Sequence, residues 1–373
     1  MKRFLLIGIS LPLLCAEYLT NKSCQECHPD IYDEYRMSWH ARGYFNDTLH
    51  REVSKKIPRY DCGACHMPAA TNQEALTDGS VRPNPIHQTQ RDAVACFYCH
   101  QIAYVKAAHA HNEITLARQA EGYKPTLYGS LENPDDSDKH AMVHSPIYSR
   151  YACTGCHGHK RNAQGVLVFR TANQAGDSQP CIRCHMPYTD GAPEKMNKRA
   201  RAHHRSHRFA GIHDTSMREK SVAITFENPS DNRLCVTLKN TMGHALIIHP
   251  ARMKYLALSL IRDNATVWKN FTHTPDEDPE ACFEVSFEDS EGKPAAIPYF
   301  AAKRGRENNL EANASKTLCY KVPSLHKDDR IVAQLYVVPA KADCAAAAGL
   351  GGTGWTEPLL MKETAWTVPK EKP

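Results

Sequence analysis

The sequence predicts two domains of different class: an α-helical, loop-rich domain with few strands, followed by an all-β immunoglobulin-like sandwich. Three observations predict it. A C-x-x-C-H pattern occurs five times, always between residues 24 and 185. The composition changes near residue 219, after which apolar and polar residues alternate along short segments. Stretches such as "TDGSVRPNP" and "GSLENPDDSD" punctuate the first part as loops. A chain of 373 residues, 42% hydrophobic and 23% charged, suits a globular protein of two or three domains.

The N-terminus, "MKRFLLIGISLPLLCAE", joins the charges of Lys2 and Arg3 to an apolar core from Phe4 to Leu14. It reads as a signal peptide, residues 1–16, cleaved after Ala16. The apolar run is too short to span a bilayer, and Leu14 poorly matches the small residue of a lipoprotein site at Cys15. No later stretch approaches transmembrane length. Export to the periplasm or the cell surface is expected.

Residues 17–218 carry the motifs "CQECH" (24–28), "CGACH" (62–66), "CFYCH" (96–100), "CTGCH" (153–157) and "CIRCH" (181–185). At these Cys and His frequencies about 0.03 matches would arise by chance. The spacing suits covalent porphyrin attachment. Each vinyl group takes one thioether bond, from Cys24 and Cys27, Cys62 and Cys65, Cys96 and Cys99, Cys153 and Cys156, or Cys181 and Cys184. The adjacent His28, His66, His100, His157 or His185 then ligates the iron. A zinc knuckle would need further ligand pairs at matched spacing, and a redox dithiol would not need the histidine five times. Five covalently bound haem c groups are expected, supplying much of this domain's apolar core. Between the motifs, "PDIYDEYRMSWHARGYFNDTLH" (29–50) is predicted helical, with Ile31, Tyr35 and Trp39 spaced by four, and "NEITLARQAEG" (112–122) is a second helix closed by Gly122.

The function of each iron turns on its second axial ligand. Of 21 histidines, sixteen remain once the five motif histidines are set aside. His40 follows His28 by twelve residues, about 18 Å along a helix, so it must serve a different iron. His87 and His144 each precede a motif by nine residues, and "AHHRSHRFAGIH" adds His203, His204, His207 and His213. The expected distal ligands are His40, His87, His144, His207 and His213, with His109, His111, His140, His244 and His249 in reserve. His140 and His144, four apart, would share one helix face.

Formal charge is 46 − 41 = +5. Each ferric haem adds roughly −1 through its two propionates, leaving the holoprotein near neutral or mildly acidic. No nucleic-acid partner is expected. The basic run "KMNKRARAHHRSHR" (195–208) should meet propionates or a redox partner.

Residues 219–343 form the β-domain, with strands "SVAITFEN" (221–228), "RLCVTLKN" (233–240), "MKYLALSLIRD" (253–263), "KTLCYKV" (316–322) and "RIVAQLYVV" (330–338). Val222, Ile224 and Phe226 alternate with small or polar residues, as do Leu234, Val236 and Leu238. By the same parity Cys235 and Cys319 point away from the apolar face, which opens a bridge between them if their strands adjoin. With Cys282 and Cys344 they make four cysteines outside the motifs and the signal, and three pairings. Residues 344–373 read as a flexible connector, "CAAAAGLGGTG" (344–354), and a C-terminal tail that Trp355 and Trp366 should dock.

The segment "CQECHPDIYDEYRMSWHA", with "CHMP" at 65–68 and 184–187 and "HRFAG" at 207–211, resembles the multihaem cytochromes of the cytochrome c-554 and hydroxylamine oxidoreductase class over about residues 24–213. "NTMGHALIIHPAR" (240–252) looks like a turn of β-domains attached to some exported multihaem cytochromes. The resemblance implies that His40 and His207 are distal ligands on neighbouring haems, with porphyrins stacked in close pairs. Five motifs, and the lack of a C-x-x-C-K site, depart from the family's tetrahaem and octahaem members. Sixteen spare histidines favour electron transfer between redox proteins, from a quinol-side donor to a terminal reductase or surface acceptor. The alternative is an oxidoreductase acting on a small nitrogen or sulfur oxyanion at one five-coordinate haem, with "KRARAHHRSHR" lending cationic help. A β-domain that docks the cytochrome onto a partner, or into an oligomer, is compatible with electron transfer.

Overall fold

The computed structural model describes residues 18–119, 123–171, 174–230 and 232–369. The expected signal peptide and the expected cap Gly122 lie outside the described residues. Every C-x-x-C-H motif folds as, or into, one short helical turn: Asn21–Gln25, Gly63–His66, Cys96–Cys99, Thr154–His157 and Cys181–His185. In the first four, the histidine N–H donates to the first cysteine's carbonyl at 2.9, 3.0, 3.0 and 2.8 Å. Proline explains why three of these turns stop. His28, Met67 and Met186 each precede a proline, which disfavours α geometry, and they sit at φ −120°, −145° and −136°.

The helix predicted over 29–50 is broken. Pro29–Met37 is α-helical, Ser38 is extended at φ −80°, ψ 161°, Trp39–Ala41 is a single 3₁₀ turn, and Thr48–Ser54 restarts behind an Asp47 cap. The helix predicted over 112–122 is a strand, Glu113–Leu116, antiparallel to Ile102–Lys106 with Val105 opposite Ile114. Ile114 and Leu116 alternate with Glu113 and Thr115 and pack on the cluster of Ile102, Val105, Ile147 and Ala152. Burying that face outweighed the helix propensity of the Leu-Ala-Arg-Gln stretch. Ala141–His144 is also a strand, parallel to Thr126–Gly129, so His140 and His144 share no helix face. Two further short ladders, His159–Arg161 with Leu167–Arg170 and Tyr188–Asp190 with His203–Arg205, complete a segment of short elements and long loops.

The rest is a two-sheet β-structure. One sheet orders Ser315–Lys321, Arg233–Asn240 and Val222–Ser230. The other orders Lys303–Asn308, Cys282–Glu288, Met253–Arg262, Arg330–Val338 and Leu359–Thr367, with Ala265–Lys269 also paired to Met253–Arg262. Leu234, Val236, Leu238 and Ile224 of the first sheet meet Leu256, Leu258, Leu260, Phe283, Ile331 and Leu335 of the second in one core. The buried clusters before residue 200 are far smaller, Tyr60 with Met67, Ala70 and Leu76 being one. Cys235 lies opposite Cys319, Cα to Cα 4.1 Å, and the two are disulfide-bonded. Cys282 and Cys344 stay buried free thiols.

Of residues 344–354, expected as a flexible connector, the first part is packed while 351–354 are exposed. Ala342–Ala347 is helical, and Ala345 and Ala348 press with Ala340 on Leu49, flanked by Val53 and Trp355. Four alanines in a row favour helix and let it approach closely. The tail then adds Leu359–Thr367 to the larger sheet beside Arg330–Val338. No helix among the described residues is long and apolar enough to cross a membrane.

Candidate metal centres

All ten motif cysteines retain open surface and none is disulfide-bonded. Free cysteines ordinarily behave as small buried hydrophobes, so ten partly exposed thiols need a chemical reason. Among the described residues no three His, Cys, Asp or Glu side chains converge as a metal-ion site requires. That geometry disfavours zinc. Two partly exposed thiols and one imidazole per motif, in a segment with little side-chain core, fit a thioether-bound porphyrin.

The thiols also order the motifs in space. Cys24 interacts with Cys96, Cys65 with Cys156, and Cys153 with Cys181. Cys99 lies within electrostatic reach of both Cys153 and Cys156. The motif ending at His157 is thus a junction, its thiols meeting those of the His66 and His185 motifs with the His100 motif nearby, while the His28 motif meets that of His100.

A metal–imidazole bond of about 2.0–2.1 Å, plus about 1.1 Å from ring nitrogen to ring centre, separates two axial imidazoles by about 6.3 Å. Three pairs meet this spacing with nearly parallel planes: His28 and His140 at 6.3 Å and 25°, His100 and His207 at 6.2 Å and 27°, His185 and His244 at 6.4 Å and 18°. His40 and His157 come close, at 5.8 Å and 51°. Hydrogen bonds fix the tautomer. Nδ1 of His28, His100 and His185 donates to the carbonyls of Pro193, Tyr128 and Ala210 at 2.7, 2.7 and 2.6 Å. Nδ1 of His207 donates likewise to Arg205 at 2.8 Å. Each of these rings keeps the lone pair of Nε2 for a metal. Burial pushes His40 and His207 down to about 3 and His244 to about 4, so these imidazoles are neutral, as ligation demands. Glu34, buried on the Pro29–Met37 helix, accepts the His207 N–H at 2.7 Å and positions it. Phe209 lies against both His40 and His207, at 4.2 and 5.7 Å.

His66 differs. Its ring neighbour is His50, face to face at 3.8 Å and 21°, too close to admit a metal between them. His50 Nε2 is engaged by the Tyr60 hydroxyl at 2.9 Å. Lys160 lies near enough to push His66 further down, and burial holds His66 well below the usual histidine range.

Three expected distal residues are not brought to a motif histidine. His87 is exposed and precedes the Gln88–Arg91 helix. His144 is exposed at the end of its strand, Nδ1 3.3 Å from the Leu131 carbonyl. His213 stacks on Trp39 at 4.3 Å. The equal nine-residue spacing of His87 and His144 does not place them alike, because His87 precedes a helix, Gln88–Arg91, and His144 ends a strand, Ala141–His144. The rings that stand opposite motif histidines instead include His140, in a loop, and His244, inside the "NTMGHALIIHPAR" turn that the sequence already singled out. The basic run is largely spent locally: Arg199 and Arg201 pair with Asp135, and Arg205 lies over the Tyr188 ring at 3.8 Å.

A family model described as cytochrome c554 and c-prime matches residues 23–101. The multihaem cytochrome MtrC of Shewanella baltica (strain OS185) is 27% identical over 194 residues, 47% of this chain and 25% of that protein. The chain thus spans about a quarter of the length of the curated relative it matches. The crystal structure of a penta-haem cytochrome c552 from Thermochromatium tepidum has a similar fold, with TM-score 0.72 and 22% identity over 94% of this chain and 98% of that one. Motifs, partly exposed thiols and relatives together make this chain similar to multihaem c-type cytochromes.

Proposed function

We propose that the chain transfers electrons through five covalently bound haem c groups, without itself transforming a substrate. The observation that carries this is the pairing of motif histidines with a second neutral imidazole at axial spacing, in motifs whose thiols meet pairwise, Cys24 with Cys96, Cys65 with Cys156 and Cys153 with Cys181. The haem groups supply the redox chemistry. The chain's residues hold, orient and shield them, and two histidines per iron favour low potentials. The proposed axial pairs are His28 with His140, His100 with His207, His157 with His40 and His185 with His244. The route runs from the His28 site through His100 to the His157 junction, and branches there to His66 and His185. We read residues 17–218 as the haem domain and the two-sheet segment from 219 through the Leu359–Thr367 strand as an immunoglobulin-like sandwich. The location is read as outside the cytoplasm, in the periplasm or at the surface, with a quinol-side donor or terminal reductase as partner. Electron paramagnetic resonance of the oxidised holoprotein tests the reading: low-spin signals should account for at least four irons. A majority of high-spin irons would overturn it.

His66 supports a second reading, an oxidoreductase acting on a small nitrogen or sulfur oxyanion. No imidazole stands at axial spacing from it among the described ring contacts, and Lys160 supplies a nearby cation. The likeness of "SWHA" to the hydroxylamine oxidoreductase class belongs with this reading. One high-spin iron that shifts on adding nitrite or cyanide would favour it, and an all-low-spin, ligand-insensitive spectrum would exclude it.

A further inference from the structure

We infer that the β-domain is part of the metal-binding machinery, with His244 supplying the axial ligand opposite His185. This rests on the haem reading above and adds to it a ligand donated from a separate fold unit. The two rings stand 6.4 Å apart at 18°. Nδ1 of His185 donates to the Ala210 carbonyl at 2.6 Å, and Nδ1 of His244 to the Ala245 carbonyl at 2.9 Å. Both Nε2 atoms are therefore left for the metal between them.

The loop that carries His244 is anchored from both sides. On the β side, the fully buried Asn240 donates through Nδ2 to the carbonyls of His244, Leu310 and Glu311 at 2.9, 3.0 and 3.0 Å. Its Oδ1 accepts the Met242 N–H at 3.0 Å. Leu246 N–H donates to the Leu310 carbonyl at 2.8 Å, and the buried Lys254 ammonium donates to the Leu246 carbonyl at 2.5 Å. On the haem side, Gln174 and Ala175, just before the Cys181–His185 turn, donate their N–H groups to the Gly243 carbonyl at 2.8 and 3.2 Å. Gln174 Oε1 accepts the Ala312 N–H at 2.7 Å. A few residues thus fix His185 and His244 relative to one another, which a flexible tether between two domains would not achieve. His140, His207 and His40 come from the haem segment itself, so His244 is the partner that links ligation to docking. Lifting the β-domain would withdraw His244 from the metal held by His185 and leave a site open to a small ligand.

The holoprotein with His244→Ala tests this. Haem content by pyridine haemochrome should equal that of the wild type, while one iron moves from the low-spin to the high-spin signal and added imidazole restores it. His213→Ala, on Trp39, should change nothing. His244→Met should stay low-spin, with one reduction wave displaced upward, since a Met/His ligand set raises potential. An unchanged low-spin count in His244→Ala overturns the inference. If that variant does not accumulate, an unmoved set of waves in His244→Met overturns it. Wild-type protein without covalent haem would instead defeat the haem reading and leave this inference without a subject.

Discussion

Removing the Cys235–Cys319 bridge should cost the β-domain several kcal/mol without disturbing its native sheet. The two strands are already joined by a register that runs from Arg233 opposite Lys321 to Lys239 opposite Ser315, so the bridge adds little native pairing. Its effect falls on the unfolded chain, where it closes a loop with a sequence separation of 84. Loop-closure entropy for that length amounts to about 4.6 kcal/mol at 25 °C. The motif cysteines all precede residue 185, so no haem attachment shortens this loop. Residual compactness of the unfolded chain lowers the figure, to about 2–4 kcal/mol. With a urea m-value of about 2 kcal/mol/M, the Cys235→Ala/Cys319→Ala protein should reach its midpoint about 1–2 M earlier. Far-UV circular dichroism follows the β-domain, while the Soret band should report its release of His244 in the same transition. A midpoint shift under about 0.3 M, in wild-type protein with that bridge confirmed by thiol titration, would refute the loop-entropy reasoning.

Other outcomes follow from single side chains. Burial pushes the Lys254 ammonium down to about 7. Its folded value lies below its unfolded one, so stability should rise with pH between about 7 and 10.5, the cost of up to about 5 kcal/mol being fully present below 7. Lys254→Met should flatten that slope in denaturant titrations at pH 6, 8 and 10, and parallel slopes would contradict the assignment. His140→Ala should convert one iron to high-spin in paramagnetic resonance while His144→Ala leaves the spectrum alone; the reverse result would exchange their roles. Leu256→Ala, at a fully buried position of the two-sheet core, should cost about 2–5 kcal/mol in urea unfolding. Its haem content should stay at the wild-type level.

The motifs were legible because their chemistry is local: Cys, Cys and His at i, i+3 and i+4 fall on one helical turn whatever surrounds them. The strand Arg233–Asn240 was legible for a similar reason, since Leu234, Val236 and Leu238 alternate within a single segment. Glu113–Leu116 was misread because Ile114 and Leu116 suit either period, and only the apolar cluster beneath them chose the strand. The Ala342–Ala347 helix was read as a connector because its partner, Leu49, comes from a distant helix.

By itself the amino-acid order determined how many C-x-x-C-H motifs the chain carries, that each folds with its cysteines and histidine about one turn, and where the β-pattern begins. These depend on bonds and periodicities within a few residues. The tertiary structure alone decided which imidazole rings stand opposite His28, His100, His157 and His185, and that His244 of the two-sheet segment is the one opposite His185. Those are meetings between residues far apart in the chain, set by loop paths and packing that no local spacing encodes.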